Sequence, residues 1–484
     1  MILEQALVAA RAVALTHRIG GEALPAPATR VLIDPRRAEP FAEAPDAAVA
    51  DVEAAVAAAR SALAGPWRRM KPVDRGRLLS AVAKRLLEEQ DRFAMVETLN
   101  MGKPLRQARG DVSGAVRFFE YYAGMADKLQ GETIPLGPGM MAWTEREPVG
   151  VTAQIVPWNG PLGMLARGLA PALAAGCTAV VKPAETTPLT AVMLADLLTE
   201  VGLPPGVVNV VLGPGTTGAA LAAHPGINHI TFTGSVATGK AVMAAAATHL
   251  ASVTLELGGK SPVVVLDDAD LDAAAEGVVR GITTNAGQVC AAGSRLIVDR
   301  RVASALIDRV VARIGTLSLG HGLEDPDIGP LASEIQHRRV LGAVGHAVAH
   351  GDHILWGGER PDRAGYFVNP AVLSTTPSSP LAQEEVFGPV LAVLEVDDPA
   401  HALRVANDSR YGLVAGIYSR NIDRALAFAR AAEVGQVFVN RYLSGGVETP
   451  VGGVKNSGFG REKGLRGLDA YLRTKCTTVA FDEA

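Results

Sequence analysis

The chain has 484 residues, too many for one hydrophobic core, so we expect two or three domains. Hydrophobic residues make up 48% of it, as in ordinary globular proteins, and the net charge of −4 gives no electrostatic reason to expect a nucleic-acid or membrane partner. Three cysteines do not build a disulfide framework, and neither a signal peptide nor an apolar run of about 18 residues is visible. We therefore expect a cytoplasmic protein, and the size favours an enzyme.

The front of the chain is predicted to be helical. Residues 1–45 are rich in alanine and proline and are predicted to form mostly an extended arm with turns. Apolar residues then recur at helical spacing in the stretches 46–64, 71–100 and 104–128. Residues 129–148 combine glycine and proline turns with an alternating pattern, which is typical of a connecting hairpin or of an arm that reaches another subunit.

Residues 150–257 alternate short apolar strands with helices. The predicted strands are 151–156, 179–182, 207–212, 229–232 and 253–257. The predicted helices are 163–175, 189–201, 216–223 and 235–250. This alternation indicates a parallel, doubly wound, Rossmann-like sheet, and ligands of such sheets bind at the carboxyl ends of the strands.

Four of these strands deliver polar or glycine-rich residues to that rim. The segments are Pro157-Trp158-Asn159-Gly160, Lys182-Pro183-Ala184-Glu185, Thr233-Gly234-Ser235 and Glu256-Leu257-Gly258-Gly259-Lys260. Lys182 with Glu185 suits the sugar end of a dinucleotide, with Glu185 accepting hydrogen bonds from ribose hydroxyls. Either residue alone is more typical of a surface charge.

Two glycine motifs compete for the phosphates of a dinucleotide. The segment 213–218 fits G-x-G-x-x-G, but no acidic residue lies between Glu200 and Glu256 to hold the ribose. We interpret it mainly as a turn and keep Gly215 as a candidate contact. Gly234 and Ser235 form the better phosphate site because they open a helix with free amides. An ordinary turn with Ser235 as the helix cap is the alternative.

A second α/β unit is predicted over residues 261–440. Its strands are expected at 263–266, 295–298, 390–396 and 437–439, and its helices at 271–284 and 399–407. Cys290 follows the first helix among small residues, which let a carbonyl substrate and backbone amides approach a thiolate. A buried structural cysteine is the alternative. The tail 469–481 ends in an alternating strand that suits a sheet edge.

Six motifs resemble those of the aldehyde dehydrogenase superfamily, in the family's order and over nearly the whole chain. They are Pro157-Trp158-Asn159, Lys182-Pro183-Ala184-Glu185, Phe232-Thr233-Gly234-Ser235, Leu255-Glu256-Leu257-Gly258-Gly259-Lys260, Gly287-Gln288-Val289-Cys290 and Glu384-Glu385-Val386-Phe387-Gly388-Pro389. Each motif alone is weak, but six at near-family spacing argue against a chance match.

The resemblance implies NAD(P)-dependent oxidation of an aldehyde to a carboxylic acid. Cys290 then attacks the aldehyde to give a thiohemiacetal, whose oxyanion is stabilised by the Asn159 amide and the Cys290 backbone N–H. Glu256 acts as the general base for the water that hydrolyses the resulting thioester. A structural Glu256 that pairs with Lys260 is the alternative.

The resemblance also implies a dinucleotide site and no metal. The implied contacts with the pyrophosphate and the adenosine ribose are Gly234, Ser235, Lys182 and Glu185. Glu385 is implied to hold the nicotinamide ribose, with Phe387 packing nearby, and Leu257 is a further implied cofactor contact. Trp158 is implied to lie beside the cofactor loop, and simple packing is its alternative. Because a carboxylate at Glu185 repels a 2′-phosphate, NAD is expected and NADP is the alternative.

The chain departs from the family around the substrate funnel. Many members carry lysine where this chain has Arg167-Gly168, which puts in doubt a proton relay through Glu462. Small residues replace the family's aromatic ones, so a wide funnel is expected. Arg167 and Tyr442 are candidate substrate contacts, with Arg167 facing an acidic aldehyde; an ion-paired Arg167 is the alternative.

The resemblance implies three structural units. Residues 1–125 and 149–258 form the dinucleotide-binding domain, 259–455 the catalytic domain, and 126–148 with 467–484 an oligomerisation arm that implies a homodimer or homotetramer. A coenzyme-A-acylating member is disfavoured by Glu256, and a non-catalytic NAD-binding scaffold has no need of Cys290, Asn159 and Glu256 together. A member that prefers NADP or a semialdehyde remains open.

Overall fold

A helix and two hairpins begin the chain. The computed structural model describes residues 2–481. The first elements are α1 (Ile2–Arg11), β1 (His17–Ile19), β2 (Glu22–Leu24), β3 (Thr29–Asp34) and β4 (Glu39–Pro45). The prediction of an extended arm with turns is therefore wrong for the helix α1, whereas residues 17–45 are extended strands joined by turns. The alanine-rich start is helical because Ala6 and Ala10 pack inward, and β3 and β4 pair with each other.

Five helices follow, as the apolar spacing predicts. They are α2 (Val49–Ala64), α3 (Pro66–Arg69), α4 (Pro72–Glu88), α5 (Gln90–Met101) and α6 (Leu105–Ala123). Helix α2 begins after Asp46 rather than at it, because Asp46 forms an ion pair with Arg30 at 2.6 Å. The Asp51 side chain instead accepts a hydrogen bond from the backbone N–H that precedes α2. The stretch predicted over 71–100 is broken at Glu89 into α4 and α5.

The next segment supplies the doubly wound sheet. Its elements are β5 (Thr133–Pro135), β6 (Met140–Pro148), β7 (Val151–Ile155), α7 (Pro161–Ala175), β8 (Thr178–Lys182), α8 (Leu189–Glu200), β9 (Val208–Val210), α9 (Gly215–Ala222), β10 (His229–Thr233), α10 (Val236–Ala247) and β11 (Ser252–Glu256). Strands β9, β8, β7, β10 and β11 are parallel neighbours in that order, with β1 and β2 beyond β9. Their carboxyl ends therefore meet at one rim.

A second parallel sheet follows. Its segment contains β12 (Pro262–Val265), α11 (Leu271–Thr283), β13 (Arg295–Asp299), α12 (Ala303–Gly315), α13 (Glu334–Ala349), β14 (His353–Gly357), β15 (Ala371–Ser374), α14 (Pro380–Gln383), β16 (Val390–Val396), α15 (Pro399–Asn407), β17 (Tyr411–Gly412), β18 (Val414–Tyr418), α16 (Ile422–Ala431) and β19 (Gln436–Val439). The sheet order is β14-β15-β16-β13-β12-β18-β19, and all neighbours except β14 and β15 are parallel. The inner strands are mostly apolar and buried, as is typical of parallel strands that are covered on both faces.

The last elements return to the first sheet and complete the arm. They are β20 (Val454–Lys455), β21 (Gly458–Phe459), α17 (Arg466–Asp469) and β22 (Leu472–Ala480). Strand β21 pairs with β11, which brings the glycine-rich segment beside Glu256. Strand β22 pairs with β6, and β6 with β5, so the predicted arm is a three-stranded sheet within one chain. The fold class is confirmed, whereas the domain boundaries and the arm's role in assembly stay predictions.

None of the helices in residues 2–481 combines the length and the apolar character that crossing a bilayer requires.

Leu86 and Leu87 are neighbours on α4 that test the packing of the helical front. The side chain of Leu86 is 0% exposed and that of Leu87 is 54% exposed. We predict that Leu86→Ala lowers the free energy of unfolding by about 2–5 kcal/mol, because it removes buried surface and leaves a cavity. Leu87→Ala should change it by less than about 0.5 kcal/mol. Urea denaturation measures both, and equal effects would contradict this packing.

Candidate active site

The Cys290 loop begins where α11 ends. Asn285, Ala286 and Gly287 adopt left-handed backbone angles, with φ of 51°, 52° and 73°. Side-chain-bearing residues pay about 1–2 kcal/mol each for this conformation, so neighbouring contacts must hold the loop. Gln288 provides them: its amide donates to the Asn285 carbonyl at 3.0 Å, and its oxygen accepts a backbone N–H at 2.9 Å from the segment before α13.

The Cys290 thiol is half-buried in this loop. Burial first, and then the carboxyl of Glu256, raise its pKa to about 11 against the opposing effect of the Arg167 guanidinium. The resting form at neutral pH is therefore the thiol. Cys290 must lose its proton as it reacts, and a proton acceptor has to lie nearby.

Asn159 reaches the nucleophile loop from the first sheet. It follows β7, is 8% exposed, and donates from its side-chain amide to the Gln288 carbonyl at 2.9 Å. The backbone carbonyl of Asn159 accepts a hydrogen bond from the Asn285 side chain, also at 2.9 Å. A side-chain amide has two N–H donors, so one of them remains to stabilise a negative oxygen near Cys290.

Glu256 ends β11 and is 3% exposed. Its Oε1 atom is buried without a hydrogen-bond partner among the described residues. Burial first, and then the neighbouring Glu462, raise the pKa of Glu256 to about 8, although Arg167 and Arg461 oppose the rise. A carboxylate with a pKa near neutrality and a free oxygen suits a general base. The alternative pairing with Lys260 is not formed, because the Lys260 amine has no hydrogen-bond partner either.

Arg167 forms a buried ion pair with Glu462, which is the alternative that the sequence left open to a contact with an acidic substrate. The two side chains are 9% and 4% exposed. Burial opposes the charge on Arg167, but Glu462, Glu256 and Cys290 offset it and hold the pKa above its ordinary value. A guanidinium does not give up its proton in proteins, so Arg167 cannot pass a proton to or from Glu462. It acts as a fixed positive charge beside the site.

The prediction that Tyr442 contacts the substrate is wrong. Its side chain is fully buried, and its hydroxyl donates to the Ala291 carbonyl at 2.8 Å. The ring packs edge-to-face on Phe438 and lies so close to Gly281 and Gly416 that a Cβ at either position would clash. Tyr442 therefore supports the loop that carries Cys290 and does not line a substrate funnel.

Two adjoining cavities form one cleft along the rim of the first sheet. The inner cavity, about 120 Å³, is lined by Asn159, Glu256, Leu257, Cys290, Glu385 and Phe387 among others. The outer cavity, about 390 Å³, lies between α9 and α10, and its lining includes Lys182, Glu185 and Gly215. Both are lined by Trp158, Gly234 and Ser235. All the predicted catalytic and cofactor residues thus meet in this cleft.

The outer cavity fits the adenosine and phosphate parts of a dinucleotide. Lys182 Nζ lies 3.3 Å from Glu185 Oε2, so the Glu185 carboxylate lies at the end of the outer cavity that is away from Cys290. A Cβ on Gly215 would meet no atom within 4 Å. Ser235 caps α10, because its hydroxyl accepts a hydrogen bond from the Thr238 N–H at 3.2 Å. The role of helix cap, given above as the alternative for Ser235, is therefore present. The remaining first-turn amides of α10 still have no partner inside the helix and suit a pyrophosphate. The N–H of Gly234 itself is used, since it donates to the Glu256 carbonyl.

The inner cavity is shaped by glycines and by a strained phenylalanine. Glu385 accepts a hydrogen bond from the Gly259 N–H at 2.9 Å, and a Cβ on Gly258 would lie 2.4 Å from the Glu385 carboxylate. Glycine at this position is therefore required for Glu385 to reach the cleft. Phe387, with φ of 60°, stacks edge-to-face on Trp158 at 5.3 Å between ring centroids. These contacts fix the wall where a nicotinamide ribose is expected.

The structural roles of several buried polar residues near the site were not predicted from the sequence. Asn285 and Gln288 hold the nucleophile loop, and their signal was present as amide side chains that flank a glycine beside Cys290. Lys260 is 1% exposed, and burial lowers its pKa to about 7, with Arg295 adding to the effect. Within residues 2–481, no three His, Cys, Asp or Glu side chains are grouped as metal ligands would be.

The raised pKa of Cys290 predicts how it reacts with alkylating agents. Below a pKa of about 11, the thiolate fraction grows as pH rises. We predict that iodoacetamide modifies Cys290 about tenfold faster for each unit of pH across the mildly alkaline range. Peptide mass spectrometry measures the rate, with the exposed Cys476 as internal reference. A rate at Cys290 that does not change with pH would show a preformed thiolate instead.

Comparisons with known proteins agree with the site. Residues 26–477 match the family model for the aldehyde dehydrogenase family. An aldehyde dehydrogenase of Emericella nidulans is 40% identical over 94% of this chain and 92% of its own length. Betaine aldehyde dehydrogenase from Staphylococcus aureus, solved in complex with NAD+, superposes with a TM-score of 0.98 at 35% identity, covering 100% of this chain and 98% of that one. The NAD+ complex of an aldehyde dehydrogenase from Bacillus cereus superposes with a TM-score of 0.95 at 40% identity, covering 97% of each chain. The chain belongs to the aldehyde dehydrogenase family.

Proposed function

We propose that this enzyme oxidises an aldehyde to the carboxylic acid with NAD, through a thioester on Cys290. One observation supports the proposal above all. Cys290, Asn159 and Glu256 come from three separate elements and line one small cavity, which continues into a cleft with the features of a dinucleotide site. A scaffold that only bound the cofactor would not need a thiol, an amide donor and a buried base at one end of it.

The first half of the reaction uses Cys290 and Asn159. The Cys290 sulfur loses its proton to solvent water and bonds to the aldehyde carbon, so the carbonyl oxygen becomes an oxyanion. The free N–H of Asn159 and the Cys290 backbone N–H stabilise that oxygen, and each such donor is typically worth about 3–4 kcal/mol. Bound NAD supplies the acceptor for the hydride that leaves the same carbon. Cys290 is left as a thioester.

The second half depends on Glu256. Its ionised carboxylate removes a proton from water, and the water oxygen bonds to the thioester carbon. The carbon–sulfur bond then breaks to release the acid and the Cys290 thiolate, which takes the proton from Glu256 and returns to the thiol. The unpartnered Oε1 of Glu256 is the atom that takes the proton. This base also separates the proposal from a coenzyme-A-acylating reaction, in which no water has to be activated.

The cofactor and substrate preferences follow from charge. The Glu185 carboxylate lines the adenosine end of the cleft and disfavours the 2′-phosphate of NADP, so NAD is the proposed cofactor and NADP the alternative. The ion pair of Arg167 with Glu462 removes the one cation that supported a semialdehyde substrate. A neutral aldehyde is therefore the proposed class.

We further propose a homodimer or homotetramer in the cytoplasm. Strand β22 lies at one edge of the arm sheet, and most of its side chains are exposed. An exposed strand edge of this length is a site where a second copy can add. The balance of charge and the small number of cysteines support the cytoplasmic location.

Glu256→Gln separates the two halves of the reaction. We predict a rapid burst of about one reduced nicotinamide per active site, followed by turnover about 10²- to 10⁴-fold slower than in the wild type, because the thioester forms but hydrolyses slowly. Stopped-flow absorbance with NAD and NADP in parallel measures both phases. Glu395→Gln, at an exposed carboxylate, is the matched control and should behave as wild type.

The pH dependence of the wild type tests the same role. Since the pKa of Glu256 is raised to about 8, its ionised form is the minor one at neutral pH, and kcat should rise with pH and level off above that value. Full turnover by Glu256→Gln, or no reduced nicotinamide from the wild type with any aldehyde, would contradict the proposal.

A further inference from the structure

A buried ammonium lies directly behind the oxyanion donor. Lys103 is 3% exposed and lies in the short loop between α5 and α6. Its Nζ atom donates to the backbone carbonyl of Asn159 at 3.2 Å and to Glu97 Oε1 at 3.3 Å, and it contacts the carboxylate of Asp111. These three partners match the three donors of an ammonium group.

Glu97 extends this network to the start of α7. It is 1% exposed, and its second oxygen accepts the backbone N–H of Leu162 at 3.2 Å and the hydroxyl of Thr190 at 3.2 Å. Leu162 is in the first turn of α7, the helix that follows Asn159. A carboxylate at this end of a helix is favoured by the helix dipole. Glu97 thus fixes the far side of the turn that carries Asn159.

The charges in this network are costly to bury. Burial opposes the charge on Lys103, but Asp111 and Glu97 more than offset it, so the pKa of the ammonium lies above its ordinary value. Burial also raises the pKa of Glu97, against the pull of Lys103. We take Glu97 as ionised, because three donors converge on its two oxygens. Buried ion pairs often add little to stability, so this one is better explained by a positional role.

The Asn159 carbonyl is held from two sides. Lys103 approaches from the helical front end, and the Asn285 side chain approaches from the nucleophile loop. The side-chain amide of the same residue is directed by its hydrogen bond to the Gln288 carbonyl. With backbone and side chain both fixed, the remaining N–H has one direction. A shift of about 1 Å in such a donor can cost about a hundredfold in rate.

We propose that Lys103 is a positioning residue that holds the Asn159 turn, so that the Asn159 amide faces the oxyanion formed on Cys290. Glu97 and Asp111 keep the ammonium in place. This inference rests on the proposed function, because it assigns Lys103 an effect on the reaction only through Asn159.

A double-mutant cycle tests this directly. We predict that Lys103→Gln lowers kcat about 10- to 100-fold at little change in the KM for NAD, and that Asn159→Ala lowers it at least as much. Added to Asn159→Ala, Lys103→Gln should cause less than about a twofold further loss, because the side-chain amide that Lys103 positions is already absent. Asp111→Asn, at a 38% exposed side chain, should give a smaller loss that Asn159→Ala also suppresses, and it serves if Lys103→Gln does not fold.

Asp34→Asn is the matched control. It breaks another buried ion pair, that of Asp34 with Arg36, and neither residue lines the cleft. The variant should therefore lower the melting temperature without lowering kcat per folded enzyme. Losses by Lys103→Gln that multiply fully with those of Asn159→Ala, or no loss at all, would overturn the inference while leaving the proposed function intact. Wild-type kcat in Asn159→Ala would overturn both.

Discussion

The hydrogen bonds between the Asn159 turn and the Cys290 loop are the contacts on which the site depends. Asn159 follows a strand of the first sheet, whereas Gln288 and Asn285 precede Cys290 in the second α/β unit. The side-chain amides of Asn159 and Asn285 nevertheless donate to backbone carbonyls of Gln288 and Asn159, at distances of 2.9–3.3 Å. Neither sheet carries a complete site. The first sheet provides the amide donor, the base and most of the cofactor contacts, and the second provides the sulfur. The active site is therefore complete only where the two units pack together.

Burial has two opposite effects on the chemistry of this site. It raises the pKa values of Cys290 and Glu256, so both groups are largely protonated at neutral pH. The same low-dielectric surroundings strengthen every interaction with an oxyanion. The fixed charge of Arg167, itself balanced by Glu462, opposes the rise at both groups. The unpartnered oxygen of Glu256 fits a reactive group, since Glu256 lines the same cavity as Cys290.

The sequence predicted what local patterns encode. Alternating strands and helices placed the motif residues at one sheet rim, and every predicted cofactor residue lines the cleft. It failed where long-range contacts decide. The sequence left an ion-paired Arg167 open but did not identify its partner, because Glu462 is far away in sequence. The burial of Tyr442 likewise depends on distant glycines. Lys103 was missed for the same reason: nothing local to it shows that it meets the Asn159 carbonyl. Between 299 and 390 the weak patterns hid α12, α13, β14 and β15.

The central claim is that the sulfur of Cys290 carries the acyl group between two half-reactions. Rapid acid quench of the enzyme with an aldehyde and NAD, followed by intact-mass and peptide mass spectrometry, tests it most directly. We expect one adduct per chain, with the mass of the acyl group, on the peptide that contains Cys290 and removable by hydroxylamine as a thioester is. Formation of reduced nicotinamide without any adduct on that peptide, or an adduct on another residue, would contradict the account.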